Sequence, residues 1–160
     1  MTSTDRYERA AAALTKWNAD LVRFAYAYLL NRSDAQDAVQ DAFMSYMKHA
    51  PEFADESGEK AWLMRVIANR CKSLLRSGWF KSREPIPEDL PAEEPKKAVI
   101  LALGRLPSKY RMPLHLHYYC GYSLKEMSGL LGAGEATLGT RLARGRELLR
   151  QELGGEEIED

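Results

Sequence analysis

The last third of the chain contains signals for a short helix, a glycine turn and a longer helix, in that order. Ser123 and Glu126 have the spacing of a capping box, which opens a helix. Gly132-Ala133-Gly134 follows as a turn, with Gly132 at the position where a left-handed glycine ends a helix. The segment 135–153 is long enough for a second helix. This order predicts a helix-turn-helix, whose second helix can enter the major groove of DNA.

The second of these helices combines an apolar stripe with a face rich in arginine. At about 100° per residue, Leu138, Leu142, Gly145 and Leu149 share one side, which is expected to face the core. Arg144 lies on the outer side, where its planar guanidinium can read a guanine edge. The flanks carry three further arginines that can bind phosphates: Arg141, Arg146 and Arg150.

The charge distribution supports a phosphate-bearing partner for this part of the chain. The formal net charge of the 160 residues is zero, but residues 96–153 carry a net charge of +6. Residues 1–95 carry −2 and the tail 154–160 carries −4. A basic module of this kind is the electrostatic footprint of a nucleic-acid backbone.

The first half of the chain also has helical periodicity. The spacing of apolar residues predicts helices over 7–30, 33–48 and 59–76, of which the second opens with a capping box at Ser33 and Gln36. Their expected buried positions include Leu14, Trp17, Leu21, Phe24 and Tyr28 in the first helix and Leu63, Ile67, Cys71 and Leu74 in the third.

Residues 84–97 read EPIPEDLPAEEPKK and separate the two halves. Four prolines remove amide donors and five acids repel one another, so this stretch is expected to be an extended linker. A solvated spacer is its simplest interpretation, and mimicry of nucleic acid in a basic channel is a second one. Beyond it, helices are predicted over 98–103 and from 107 or 108 to 119, the latter disturbed by Pro113.

Together these patterns predict an all-α protein of two small helical domains. Residues 1–83 form a helical bundle, 84–97 the linker, 98–153 the helix-turn-helix domain and 154–160 an acidic tail. His117 and Cys120 could share a helix face, but His115 points about 200° away from His117, so no metal site is expected. We also expect no cofactor, no catalytic constellation, no signal peptide and no membrane insertion, and therefore a cytoplasmic protein.

Three blocks of the sequence resemble the extracytoplasmic-function (ECF) sigma factors of the sigma-70 family. LPSKYRMPLHLHYYCGYSLKEMSGLLGAGEATLGTRLARGRELL resembles region 4, DAQDAVQDAFMSYMKH resembles region 2.2, and AWLMRVIANRCKSLLR resembles regions 2.3 and 2.4. The blocks occur in the family's order, with the linker between them. The resemblance implies a non-enzymatic subunit that directs bacterial RNA polymerase to specific promoters and assists initiation.

The resemblance also implies site residues. In this family region 2.2 docks on the coiled coil of the polymerase β′ subunit, which matches Asp37, Gln40, Asp41 and Phe43. The pocket for an unstacked base of the −10 element matches Phe53 and Asn69, with basic and aromatic surroundings at Trp62, Arg65, Arg70, Lys72 and Arg76. Contacts to the −35 element match Thr137, Thr140, Arg141, Arg144, Arg146 and Arg150. Gly139, Ala143, Gly145 and Ser73 depart from the family pattern.

The resemblance implies a monomeric protein with three partners. These are the polymerase core, contacted through the β′ coiled coil and the β flap, promoter DNA, and an anti-sigma factor. Two other functions remain open at this point. A one-component helix-turn-helix regulator would bind a palindrome as a dimer without polymerase. A protein-interaction module would use its basic helix to bind an acidic protein and would have no DNA-dependent activity.

Overall fold

The computed structural model describes residues 2–49, 51–78 and 94–154, and every regular element in these ranges is a helix. The chain divides into two compact units, Met1–Arg83 and Glu84–Asp160. The predicted all-α class with two small helical domains is confirmed. The predicted extended stretch up to residue 93 and the tail beyond residue 154 lie outside the described residues.

The first unit is a bundle of three helices, each of which packs against the other two. They are α1 (Ser3–Leu29), α2 (Arg32–His49) and α3 (Glu56–Ser77). The buried face of α2 is rich in alanine, which allows its neighbours to approach closely. The core of this unit comprises Leu21, Phe24, Ala25, Tyr28, Leu29, Ala35, Ala38, Val39, Ala42, Phe43, Tyr46, Leu63, Met64, Ile67, Ala68 and Cys71.

Three apolar positions differ from the predicted stripes. Leu14 is 39% exposed, so the prediction that it belongs to the core is wrong, and Trp17 and Leu74 are half-buried. Ala10 and Ala13 are the buried residues of that part of α1 instead. Cys71 is buried as predicted, and burial raises the pKa of its thiol to about 12, so that it stays protonated at neutral pH.

The helix starts of the first unit are set by side chains that bind backbone amides. The Thr2 side chain and Asp5 form a capping box that starts α1 four residues before the predicted position. The predicted capping box at Ser33 and Gln36 is wrong, because Asn31 Oδ1 accepts the amide of Asp34 at 2.9 Å. Leu30 ends α1 in a left-handed conformation (φ 54°), so Asn31 must cap α2 at once.

The second unit is built around its last helix. It contains α4 (Glu94–Gly104), α5 (Ser108–Leu114), a π-helical segment (His115–Tyr119), α6 (Leu124–Leu131) and α7 (Glu135–Glu152). Helices α4, α5 and α6 all contact α7. Helix α4 begins at Glu94, earlier than predicted. Pro95 is tolerated in its first turn, because the amide that proline lacks would have no partner within the helix there.

Two features of this unit bear on the predicted motif. The capping box at Ser123 and Glu126 and the left-handed Gly132 (φ 70°) are confirmed. The helical segment does run to Tyr119, with the disturbance predicted from Pro113: α5 ends at Leu114 and continues as the π-helical segment, after which the Cys120 amide donates to the His115 carbonyl, five residues back. The change follows directly after Pro113, which removes a donor from the α-helical ladder.

The two glycines of α7 have opposite surroundings, which predicts opposite effects of alanine. A Cβ at Gly139 would meet nothing within 4 Å, whereas one at Gly145 would lie 3.0 Å from Leu114 Cδ1. We expect Gly139→Ala to raise the free energy of unfolding by about 1 kcal/mol, through helix propensity. Gly145→Ala should give no gain, because Leu114 is 2% exposed and cannot retreat freely. Urea unfolding of both variants checks this, and an equal gain in both would contradict it.

Candidate functional site

The outer face of α7 is exposed and carries short polar residues beside an arginine. Leu138, Leu142, Gly145 and Leu149 are buried, as the leucine stripe predicts. Thr137, Thr140 and Arg144 are exposed, and Arg141 is half-buried beside them; we call these four residues the α7 face. Within the described part of the chain, Arg144 has neither a hydrogen bond nor an ion pair, so its guanidinium is available to a partner.

The other two arginines of α7 are held by neighbouring side chains. Arg146 Nη1 donates to the Tyr118 hydroxyl at 2.8 Å, which ties α7 to the π-helical segment. Arg150 Nη1 lies 2.9 Å from Glu147 Oε2, one turn away on the same helix. Both residues of this second pair are 46% exposed, so the pair is worth little and can open toward a phosphate.

The third helix presents a continuous polar and aromatic stripe. Seen down the helix axis, the predicted positions of α3 other than Arg70 fall within an arc of about 80°. Arg65, Asn69 and Arg76 are exposed, whereas Trp62 and Lys72 are half-buried. We call these five residues the α3 stripe. Over the 14 residue steps from Trp62 to Arg76 it extends roughly 21 Å, which is enough for several nucleotides.

Phe53 lies at the Trp62 end of the α3 stripe. Its ring centroid is 6.2 Å from that of Trp62 and 6.0 Å from that of Tyr46, and Tyr46 and Trp62 are 5.9 Å apart. Tyr46 is buried, while Phe53 and Trp62 are half-buried and keep part of each ring accessible. Asn69 lies two helical turns from Trp62 on the same side, so Phe53 and Asn69 mark the start and the middle of one surface.

The loop before α3 is fixed at both ends. Asp55 caps α3 by accepting the amide of Gly58 at 2.8 Å. Arg9 Nη2 donates to the Pro51 carbonyl at 2.7 Å, and the same guanidinium lies 5.4 Å from the centroid of the Tyr46 ring. The position of Phe53 between these two anchors is therefore defined by contacts to all three helices of the first unit.

Arg70 faces away from the α3 stripe. Around the helix axis it lies about 80° from Trp62, in the direction away from the other four residues of the stripe. Its Nε lies 3.0 Å from Asp41 Oδ2 on α2. Arg70 is therefore outside the α3 stripe, and its ion pair holds it beside Asp41.

The second helix exposes three of its four predicted docking residues on one face. Asp37, Gln40 and Asp41 are exposed at the spacings of a single helix side. Phe43 is 7% exposed and points into the bundle, so the predicted set does not form one surface. Met44 takes its place, because it is 62% exposed and lies seven residues after Asp37. We call Asp37, Gln40, Asp41 and Met44 the α2 face.

The histidines near α5 are engaged with neighbours in the fold. His117 Nδ1 lies 2.9 Å from the Tyr122 carbonyl, and His115 stacks on Tyr119 with centroids 5.8 Å apart. Burial, and secondly the charge of Arg111, lower the pKa of His115. In residues 2–49, 51–78 and 94–154 there is no group of three histidine, cysteine or acidic side chains that could hold a metal ion.

Comparison with protein families gives two matches, one in each unit. Residues 14–81 match the model of sigma-70 region 2, and residues 96–149 match the model of sigma-70 region 4. The first range contains the α2 face and the α3 stripe, and the second contains the α7 face. The family matches therefore include every surface described above.

Relatives and solved structures agree with these matches. The ECF RNA polymerase sigma factor SigM of Mycobacterium tuberculosis is 30% identical over 171 aligned positions, covering 93% of this chain and 87% of SigM. SigZ of Bacillus subtilis is 33% identical over 135 positions, covering 78% and 76%. The fold is similar to that of Bartonella quintana RpoE in its complex with the anti-sigma factor NepR, with a TM-score of 0.72 at 22% identity, covering 90% of this chain and 96% of that one.

Proposed function

The chain belongs to the ECF sigma factors of the sigma-70 family, and from this premise we propose which of its surfaces performs each step of initiation. As a sigma factor it directs core RNA polymerase to specific promoters. The observation that carries the proposal is the exposure of three separate faces, on α2, α3 and α7, each with the chemistry of a different partner. The protein acts by binding alone and carries out no reaction of its own.

The α7 face reads the −35 element in the major groove. Its support is the buried leucine stripe, which turns Arg144 and Thr140 outward. Thr140 Oγ1 donates to the Ala136 carbonyl at 3.1 Å, which leaves its methyl group and lone pairs for a base edge. Arg144 binds a guanine edge through its two parallel donors, and Arg141, Arg146 and Arg150 hold phosphates on either side.

The α3 stripe and Phe53 hold the melted strand of the −10 element. Half-buried rings at Phe53 and Trp62 offer faces on which an unstacked base can stack. Asn69 offers donors and an acceptor to a base edge. Arg65, Lys72 and Arg76 neutralise the backbone along the stripe. Single-stranded binding needs this combination of aromatic stacking and positive charge.

The α2 face binds the coiled coil of the polymerase β′ subunit. Two carboxylates beside an exposed methionine suit a partner helix that is basic and partly apolar. Because Phe43 is buried, its contribution is to the packing of α2, and Met44 supplies the apolar contact. The second unit meets the β flap, as the family resemblance implies.

The double substitution Gln40→Ala and Asp41→Ala should weaken binding to core polymerase by roughly three- to tenfold. It removes a carboxylate and an amide from the centre of the α2 face, and charge truncations at interfaces have effects of this order. Fluorescence anisotropy of the labelled chain, titrated with core polymerase in the absence of DNA, measures the dissociation constant.

Arg70→Ala is the matched control for that experiment. It breaks the same ion pair with Asp41 but leaves the α2 face intact, so core binding should be unchanged or slightly tighter. If Arg70→Ala weakens core binding as much as the double variant does, the ion pair and not the face is responsible. Unchanged binding in the double variant would remove the α2 face from the proposal.

We also propose that an anti-sigma factor controls this protein. Its support is that RpoE of Bartonella quintana, whose fold is similar, was solved in complex with the anti-sigma factor NepR. Met44 on α2 is an exposed apolar residue that an inhibitor could cover.

None of the described helices has the length and apolar character that a membrane crossing requires. We place the protein, as a monomer, in the cytoplasm with its polymerase.

A further inference from the structure

The Glu59 carboxylate joins all three helices of the first unit. It lies in the first turn of α3, and its side chain is 17% exposed. Oε1 accepts the indole N–H of Trp17 on α1 at 2.9 Å, and Oε2 accepts the hydroxyl of Tyr46 on α2 at 2.9 Å. Each carboxylate oxygen therefore accepts its own hydrogen bond from a protein donor.

One of these two donors belongs to the aromatic cluster of the α3 stripe. Tyr46 is 1% exposed and contacts both Phe53 and Trp62 through its ring. Its hydroxyl is held by Glu59 at one end, and the Arg9 guanidinium lies over its ring. The half-buried rings of Phe53 and Trp62 therefore pack against the Tyr46 ring, whose orientation is fixed by its hydrogen bond to Glu59.

We infer that Glu59 is a positioning residue for base capture, because it fixes Tyr46 and thereby the angle between Phe53 and Trp62. The inference rests on the proposed role of these rings at the −10 element. Glu59 itself does not touch the base. Its effect passes through Tyr46. The tilt of the Tyr46 ring sets the width of the accessible edge between the Phe53 and Trp62 rings.

The Glu59 carboxylate accepts from both partners at once. Glutamine can keep both contacts, because its oxygen accepts the Trp17 N–H while its amide group donates to the Tyr46 hydroxyl, which is also an acceptor. Leucine has neither group, so Glu59→Leu removes both hydrogen bonds. Burial, and secondly the hydrogen bond to Glu59, raise the pKa of Tyr46, which keeps its hydroxyl protonated as a donor at neutral pH.

Glu56 provides a matched control on the same helix turn. It is 72% exposed and forms an ion pair with Lys16 at 2.8 Å, and Lys16 also approaches Glu59 at 4.0 Å. Glu56→Gln therefore removes the same charge near the same lysine but leaves the Trp17 and Tyr46 hydrogen bonds in place.

The test measures capture of a base by the holoenzyme. A fork-junction DNA, built on a promoter found by transcription with this chain, carries 2-aminopurine at the unpaired −10 position, and its fluorescence change reports stacking. We expect Glu59→Leu to weaken fork-junction binding by roughly three- to tenfold and to reduce the fluorescence change at saturation. Affinity for core polymerase should be unchanged, and Glu56→Gln should behave like the wild type.

Two further variants make the result decisive. Tyr46→Phe should reproduce the effect, and it should add nothing when combined with Glu59→Leu, because both remove the hydrogen bond between Glu59 and Tyr46. If Phe53→Ala abolishes the fluorescence change while Glu59→Leu leaves it intact, the inference is wrong and the proposed site stands. If Phe53→Ala has no effect, the proposed site is wrong. A loss of core binding and base capture in equal proportion would show that Glu59 only stabilises the bundle, which also overturns the inference.

Discussion

Arg144→Ala should weaken binding at the −35 element by about 1–3 kcal/mol and relax base preference at one position of that element. The physical reason is the position of Arg144 on the exposed α7 face, with no competing partner in the described residues. A bidentate contact to a guanine discriminates against the other bases, and alanine removes both of its hydrogen bonds.

Transcription across a library of −35 sequences, at two salt concentrations, measures this effect. Arg144→Lys keeps the charge but loses the planar fork, so it should retain part of the affinity and lose the base preference. Arg150→Ala is the control for phosphate binding, and it should weaken all promoters alike and reduce the salt slope by about 0.9. Identical sequence preference in the wild type and in Arg144→Ala would show that the α7 face does not read bases.

Phe53→Ala should weaken capture of the unpaired −10 base by about 1–3 kcal/mol, which is the usual cost of losing one stacking side chain. The ring packs near those of Trp62 and Tyr46, and the residue is only half-buried. Binding of holoenzyme to a fork-junction DNA measures the loss, and binding to a fully duplex fragment that lacks the −10 element should be unaffected.

Phe53→Leu separates stacking from packing. Leucine keeps most of the apolar volume against Trp62 and Tyr46, so the free energy of unfolding should change little compared with alanine. It has no aromatic face, so base capture should still fall. Full capture by Phe53→Leu would show that the ring fills space in the bundle and that the base is held elsewhere on the α3 stripe.

Much of the fold was predictable because helix periodicity is a strong local signal. The helix-turn-helix could be predicted nearly to the residue, since the Ser123 capping box and Gly132 are unambiguous in sequence. The start of α2 was not, because Asn31 and Ser33 are both good caps within three residues. The choice between them follows from where α1 ends, at Leu30, which is a property of the packed bundle.

The sites were less predictable than the helices, because a helix face becomes a surface only when its neighbours are known. Phe43 and Met44 are adjacent apolar residues of α2, and only the packing of α1 and α3 buries the first and exposes the second. The exposed position of Met44 could have been predicted from its spacing, because it lies seven residues after Asp37 and therefore on the same side of the helix. Glu59 had no such signal, since its partners Trp17 and Tyr46 are 42 and 13 residues away.

The most direct test of the central claim is transcription reconstituted from purified core polymerase and this chain on fragmented genomic DNA. We expect discrete transcripts whose start sites share two sequence elements at a fixed spacing, and no such transcripts with core polymerase alone. Transcripts that do not depend on the chain would contradict a sigma-factor function. So would a chain that binds a palindromic duplex as a dimer without polymerase and directs no initiation.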